Sequence, residues 1–169
     1  HSFAMDFQTR SRNISVIFGD GAGAVVLQPT EQKNTGILST HLHSDGADAE
    51  LLAMYYPGSH ANKWLEDKPP FPDQELGGLF LTPEQLESGV ALPYMDGQAV
   101  FKKATAKFPE VIREALHAND LSEKDLDLLI PHQANLRISQ YVQKLLGLRD
   151  DQVFNNIQKY GNTTAASVP

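Results

Sequence analysis

Hydrophobic and polar positions along this chain follow two periods, and the change between them is clearest in the C-terminal part. Over 97–118 the apolar residues Val100, Phe101, Ala104, Phe108, Val111, Ile112, Ala115 and Leu116 recur at helical spacing, which predicts one amphipathic helix. Pro109 lies inside it, where the missing N–H predicts a kink or short break. Asn119 suits a left-handed cap at its end, and Ser122 with Asp125 resembles a capping box over SEKDLD. Positions 126–130 are apolar except for Asp127, stop at Pro131 and predict a strand that delivers His132 to the mouth of the next helix. Positions 133–146 return to helical spacing, with Leu136, Tyr141, Val142, Leu145 and Leu146 as the inward set and Gly147 as the stop. Val153 and Phe154 form a second strand-like run, followed by a polar turn to Gly161 and Asn162, where a further helix is predicted to start. The order helix, strand, helix, strand, helix suits a layered α/β architecture with right-handed crossovers.

Nearer the N-terminus, ISVIFGDGAGAVVL at 14–27 places two apolar runs around Gly19, Gly21 and Gly23. A phosphate-cradling loop needs a helix after its glycines. Here Val25, Val26, Leu27 and Pro29 follow, a β-type continuation. The better reading is close approach of two backbone segments at the glycines, with Asp20 satisfying a tight turn. Positions 36–43 predict another strand, with Ile37, Ser39, His41 and His43 on one face. The stretch 48–95 is rich in Gly and Pro and shows no sustained helical period before Pro83. Such length without structure marks a lid or a dimer-contact loop, and Tyr55, Tyr56, Trp64, Phe71 and Phe80 predict that it packs against something.

Composition narrows the function classes. A length of 169 residues sets one or at most two domains, and 41% hydrophobic with 21% charged content is ordinary for a soluble globular protein. A net charge of −7 argues against a general nucleic-acid binder. No apolar run approaches the ~18 residues of a transmembrane helix, and no signal-peptide pattern opens the chain. Cysteine is absent, which removes disulfides, thiolate metal ligands and a cysteine nucleophile from this polypeptide. His41, His43, Asp45, Asp48 and His60 can be drawn as a metal site, but no second cluster completes the set, and a polar strand face explains them more simply. The opening HSFAMDF lacks an initiator Met and Pro169 arrives just as a helix begins, so both ends read as lying within a longer molecule.

His132 and Asn162 carry the candidate chemistry. A neutral imidazole can donate one hydrogen bond and an asparagine amide two. At the ends of neighbouring strands, such a pair can hold an enolate oxygen as negative charge develops, the logic of an oxyanion hole. The alternative is structural: His132 caps one helix and Asn162 is the N-cap of TTAAS.

Three motifs add a resemblance. IPHQANLRI at 130–138, YGNTTAAS at 160–167 and VIFGDGAGAVVL at 16–27 together resemble the C-terminal half of a 3-oxoacyl-[acyl-carrier-protein] synthase III, of the thiolase superfamily. STHLHSDG at 39–46 and MDGQAVFK at 95–102 are similar to the same branch, in the same order. The resemblance implies a thiolase-like, layered α-β-α-β-α fold of two similar halves, of which 1–169 supplies mainly the C-terminal one, with 48–95 as a lid-like insertion. It implies a Cys-His-Asn triad: the cysteine takes an acyl group from acyl-CoA, malonyl-carrier protein decarboxylates, and its enolate attacks the thioester. His132 and Asn162 match the His and Asn of that triad, and the cysteine belongs to the N-terminal half.

Further positions carry over by the same resemblance. Arg12 matches a basic residue near the nucleotide end of CoA. Gln98 stands where many members have an asparagine on the pantetheine arm, Phe101 lies beside that channel, and Asn135 lies in the active-site tunnel. Arg137 and Lys102 match basic residues that receive the acidic carrier protein, which at net −7 needs a local basic patch to orient it. For Lys102 and Lys103 a solvated helix face is the competing reading. No metal or cofactor is implied beyond acyl-CoA and malonyl-carrier protein as substrates. The implied partners are acyl-CoA, acyl carrier protein, the N-terminal half and a second copy in a homodimer, with no membrane and a cytoplasmic location. Two alternatives stay open: a synthase III-like acyltransferase of secondary metabolism, and a non-catalytic scaffold or dimerising half without the nucleophile.

Overall fold

A computed structural model describes residues 12–33, 35–54 and 92–169, together with positions 83 and 87. These residues fall into two compact units, divided at Ile17/Phe18, Asp45/Gly46 and Gly97/Gln98.

The first unit contains α1 (Arg12–Ser15), a 3-10 turn at Gly46–Asp48, and two short strands, β1 (Leu52–Ala53) and β2 (Tyr94–Met95). The strands pair antiparallel, with Leu52 opposite Met95 and Ala53 opposite Tyr94. Asp96 N–H extends the pairing to the Leu51 carbonyl at 2.8 Å. The two feet of the 48–95 stretch are therefore hydrogen-bonded to each other. Tyr55, Tyr56, Trp64, Phe71, Phe80 and His60 lie outside the described residues.

In the second unit the predicted long helix is α2 (Gly97–His117), which runs on through a buried Pro109 with no break. Proline removes only the N–H that would reach the Thr105 carbonyl, one bond in a helix of 21 residues. The left-handed residue after α2 is Asp120 (φ 57°) and not Asn119. Asn119 is held elsewhere: its Nδ2 donates to the Ala115 carbonyl at 2.8 Å and to Ser39 Oγ at 2.7 Å. The capping box forms as expected, with Ser122 N–H and Oγ both donating to Asp125 Oδ2, and these bonds hold the Asp125 carboxyl below its ordinary range.

The next helix, α3, spans Leu136–Leu146. It starts three positions later than the apolar spacing predicts, because Asn135 Oδ1 accepts Arg137 N–H at 2.9 Å and sets the N-cap there. Gly147 (φ 68°) closes it in the left-handed conformation that a β-carbon disfavours. The buried face is Ile138, Ser139, Val142 and Leu146. Tyr141 and Leu145, expected inward, are about half exposed. They form a second stripe beside the 138/142/146 row, and the core meets only that row. Ile138, Val142 and Leu146 pack with Leu148 and Val153, and Phe101, Ala104, Phe108 and Ile112 of α2 close over them with Leu126, Leu129 and Ala134.

The two predicted strands shrink to one parallel bridge, Leu129 with Val153. Leu129 N–H donates to the Gln152 carbonyl at 2.8 Å and Phe154 N–H to the Leu129 carbonyl at 2.9 Å. Parallel pairing across α3 is the predicted crossover, cut to its minimum. The other expected strand, 36–43, forms no ladder among the described residues, yet its alternation is kept. Ser39, His41 and His43 all turn toward the end of α2. His41 Nδ1 lies 2.8 Å from Glu114 Oε1 and His43 Nε2 lies 2.7 Å from Oε2. Ser39 Oγ sits 2.9 Å from His41 Nε2. The Glu114 carboxylate can only accept, so His41 Nδ1 donates to it, and in a neutral ring Nε2 then accepts from Ser39 Oγ–H while Asn119 Nδ2 donates to that hydroxyl.

Candidate functional site

The segment that carries Asn162 departs from the sequence reading. A short helix, α4 (Ile157–Tyr160), fills what was expected to be a polar turn, so Asn162 does not extend the Val153–Phe154 run. It pairs in parallel with Phe18, and Gly19 N–H donates to the Asn162 carbonyl at 2.9 Å. The glycine cluster makes this approach possible. A β-carbon on Gly19 would lie 1.9 Å from the Tyr160 carbonyl oxygen, and one on Gly21 would lie 2.8 Å from the Thr163 methyl. The close-approach reading of GDGAGA therefore has a specific purpose: it seats the 160–163 backbone.

After Asn162 the chain enters a 3-10 turn, Thr164–Ser167. Thr164 sits at φ 54°, a conformation that strains a β-branched residue by about 1–3 kcal/mol. Its backbone is used at both ends. Thr164 N–H donates to Asn162 Oδ1 at 2.8 Å, and its carbonyl accepts Ser167 Oγ–H at 2.7 Å. Ser167 Oγ in turn lies 2.7 Å from His132 Nδ1 and accepts Gln133 N–H at 3.2 Å. A continuous hydrogen-bonded path thus runs from His132 through Ser167 and Thr164 to Asn162, joining the two residues singled out in the sequence.

The path also settles which atoms stay open. Asn162 is buried, and the bond from Thr164 fixes its carbonyl oxygen inward, so the amide nitrogen is left as a donor. His132 spends Nδ1 on Ser167, leaving Nε2. Among the described residues neither Asn162 Nδ2 nor His132 Nε2 has a partner. Asn162 thus serves a structural purpose with its oxygen and retains its N–H groups, although the N-cap of the turn is Thr163 and not Asn162 as the capping alternative expected.

Gln133 is the residue that sequence reasoning missed. It is 2% exposed and all its side-chain capacity is used. Nε2 donates to the Pro131 carbonyl at 3.0 Å and the Phe154 carbonyl at 3.1 Å, while Oε1 accepts Asn156 N–H at 2.9 Å and Ile157 N–H at 3.1 Å. One side chain therefore ties the end of the first strand-like run, the end of the second and the start of α4, directly beside His132. The available signal was a two-way polar side chain between His132 and Ala134, two residues after the proline that ends the first strand-like run.

The remaining candidates are placed as follows. Asn135 is exposed and caps α3. Phe101 is half-buried against the core beneath α3. Lys102 and Gln98 are exposed on α2, and Arg137 is exposed in the first turn of α3. Arg12 is exposed at the start of α1, in the other unit. No described helix is long and apolar enough to cross a membrane.

Known proteins resemble this chain over most of its length. The model of the 3-oxoacyl-[acyl-carrier-protein (ACP)] synthase III C-terminal region matches residues 116–169, and the 3-oxoacyl-[ACP] synthase III model matches residues 1–46. A beta-ketoacyl-[acyl-carrier-protein] synthase III of Roseiflexus castenholzii is 42% identical over 94% of this chain, and so is one of Yersinia pestis. The chain spans only 42% and 41% of their respective lengths. Among solved structures, the Thermus thermophilus synthase III superposes with a TM-score of 0.66 over 98% of this chain and 44% of its own, at 28% identity. The Pseudomonas aeruginosa 3-oxoacyl-(acyl carrier protein) synthase III gives 0.52 over 75% of this chain and 31% of its own, at 30% identity. The fold is accordingly the α/β, thiolase-like one that the motifs implied. His132, Gln133, Asn162 and Ser167 all fall inside the matched C-terminal region, and the chain belongs to the 3-oxoacyl-[acyl-carrier-protein] synthase III family.

Proposed function

We propose that this chain is part of a condensing enzyme joining a short acyl-CoA primer to malonyl-acyl carrier protein, giving 3-oxoacyl-carrier protein at the start of fatty acid biosynthesis. The observation that carries the proposal is the path from His132 to Asn162, which leaves Nε2 and Nδ2 as the open groups. A cysteine outside this chain takes the acyl group, and CoA leaves as the thiol. Decarboxylation of the malonyl thioester breaks the bond to the carboxylate, releases CO2 and leaves the electron pair as an enolate. The enolate carbon then forms a bond to the acyl carbonyl, and the cysteine sulfur departs. Charge on the thioester oxygen is what Asn162 Nδ2–H would stabilise, together with His132 Nε2 when that nitrogen carries a proton. Donors of this kind are worth about 10²–10³ in rate.

Arg12, Gln98, Phe101 and Asn135 are assigned to CoA and its pantetheine arm, and Lys102 and Arg137 to the carrier protein. The enzyme is taken to be a cytoplasmic homodimer that needs no metal or cofactor. The test uses the full-length protein with His132→Ala or Asn162→Ala. Malonyl decarboxylation is lost in both, and acylation of the cysteine survives better in Asn162→Ala than in His132→Ala. Normal condensation by both variants would refute the proposal, and comparison of acetyl, branched and long acyl-CoA primers separates fatty acid initiation from a secondary-metabolic role.

A further inference from the structure

Ser167 is buried to 5% exposure, and its hydroxyl has three polar neighbours within hydrogen-bond distance. A serine hydroxyl has one proton and two lone pairs. Gln133 N–H can only donate, so it takes one lone pair. The Thr164 carbonyl can only accept, so at 2.7 Å it takes the proton. What remains for His132 Nδ1, also at 2.7 Å, is the second lone pair. Only one proton arrangement makes all three contacts hydrogen bonds. Turning the hydroxyl toward Nδ1 would leave two oxygens facing each other at 2.7 Å with no proton between them.

We infer that Ser167 is a positioning residue that holds His132 in the tautomer with its proton on Nδ1, so that the neutral ring meets reactants as a proton acceptor at Nε2. The inference rests on His132 acting in the condensation proposed above, and it assigns an order to its two roles. As the external thiol attacks acyl-CoA, its proton passes to Nε2 and the ring becomes imidazolium, with Nδ1–H still donating to Ser167. That Nε2 proton is then given to the departing CoA sulfur. His132 donates to an enolate oxygen only while it carries this second proton, whereas Asn162 Nδ2 donates at all times. The strained Thr164 backbone fits the scheme, since it is what aims the Thr164 carbonyl back at Ser167.

The test is ¹⁵N NMR of the ring-labelled full-length enzyme, with the His132 signals assigned by their loss in His132→Ala. The expected result is a neutral ring protonated at Nδ1, and a shift toward the Nε2-protonated form in Ser167→Ala. In single-turnover assays, Ser167→Ala should slow cysteine acylation roughly tenfold, as loss of one buried hydrogen bond implies, with the KM for acyl-CoA unchanged. Ser167→Thr, which keeps the hydroxyl, should recover most of that rate. A wild-type ring protonated at Nε2, or an unchanged tautomer and acylation rate in Ser167→Ala, overturns the inference. The wild-type spectrum decides the matter even if Ser167→Ala does not fold. If His132→Ala itself condenses normally, the proposed function has failed instead, whatever the tautomer.

Discussion

Gly19→Ala is the sharpest probe of how the glycine cluster serves the site. An added β-carbon would start 1.9 Å from the Tyr160 carbonyl oxygen. Carbon and oxygen settle at roughly 3.3 Å even in a close contact, so the two segments must part by roughly 1.4 Å. The opposing atom is backbone, which cannot swing aside as a side chain would. The Gly19 N–H to Asn162 carbonyl bond sits at the same contact and is lost with it, at about 1 kcal/mol. Overpacking adds about 1–3 kcal/mol, so the total destabilisation is about 2–4 kcal/mol. Displacement of Asn162 on this scale should lower the condensation rate about 100-fold. Gly46→Ala is the control: a β-carbon there meets nothing within 4 Å, and stability should stay level or rise by about 0.5 kcal/mol. Urea unfolding of the full-length proteins, with matched m-values, measures the first quantity, and a condensation assay measures the second. If Gly19→Ala keeps both the wild-type midpoint and the wild-type rate, the close approach is not what this glycine provides.

Two further outcomes follow from the same structure. Gln133→Leu removes four hydrogen bonds to the backbone of three segments and should destabilise by about 3–5 kcal/mol in urea unfolding; a loss below 1 kcal/mol would sink that role. The hydrogen bonds from His41 and His43 hold the Glu114 carboxyl below its usual value of 4.5. A carboxyl depressed on folding adds stability above its unfolded pKa, and that stability is lost as pH falls through the depressed value. Acid titration of unfolding should therefore show a loss near and below the ordinary carboxylate range that is absent in Glu114→Gln, and coincident curves for the two proteins would contradict it.

Much of this architecture was legible because periodicity reports local structure well. The span of α2, the stop at Gly147 and the capping box at Ser122 each depend on neighbours a few residues away. Expectations failed where distant parts decided the outcome. Tyr141 and Leu145 fit an inward pattern as well as Ile138 does, and only the position of α2 and the Leu129–Val153 pair selects the buried row. Asn119 has the right chemistry for a left-handed cap, but Ser39, remote in sequence, engages its side chain and Asp120 takes that conformation. The same limit applies at the site. Residue type pointed to His132 and Asn162, while Gln133 and Ser167, which hold them, were visible only once three segments met.

The pairing of Leu52–Ala53 with Tyr94–Met95 separates two quantities that are usually linked in a long excursion, its length and its anchoring. A pairing that joins the two feet of an excursion is opposed by the entropy of closing the ring between them. That entropy grows only logarithmically, by about 0.6 kcal/mol for each doubling of length. The Leu52–Ala53 pairing with Tyr94–Met95 therefore tolerates a change in the length of what it closes at a cost that stays small beside the pairing itself.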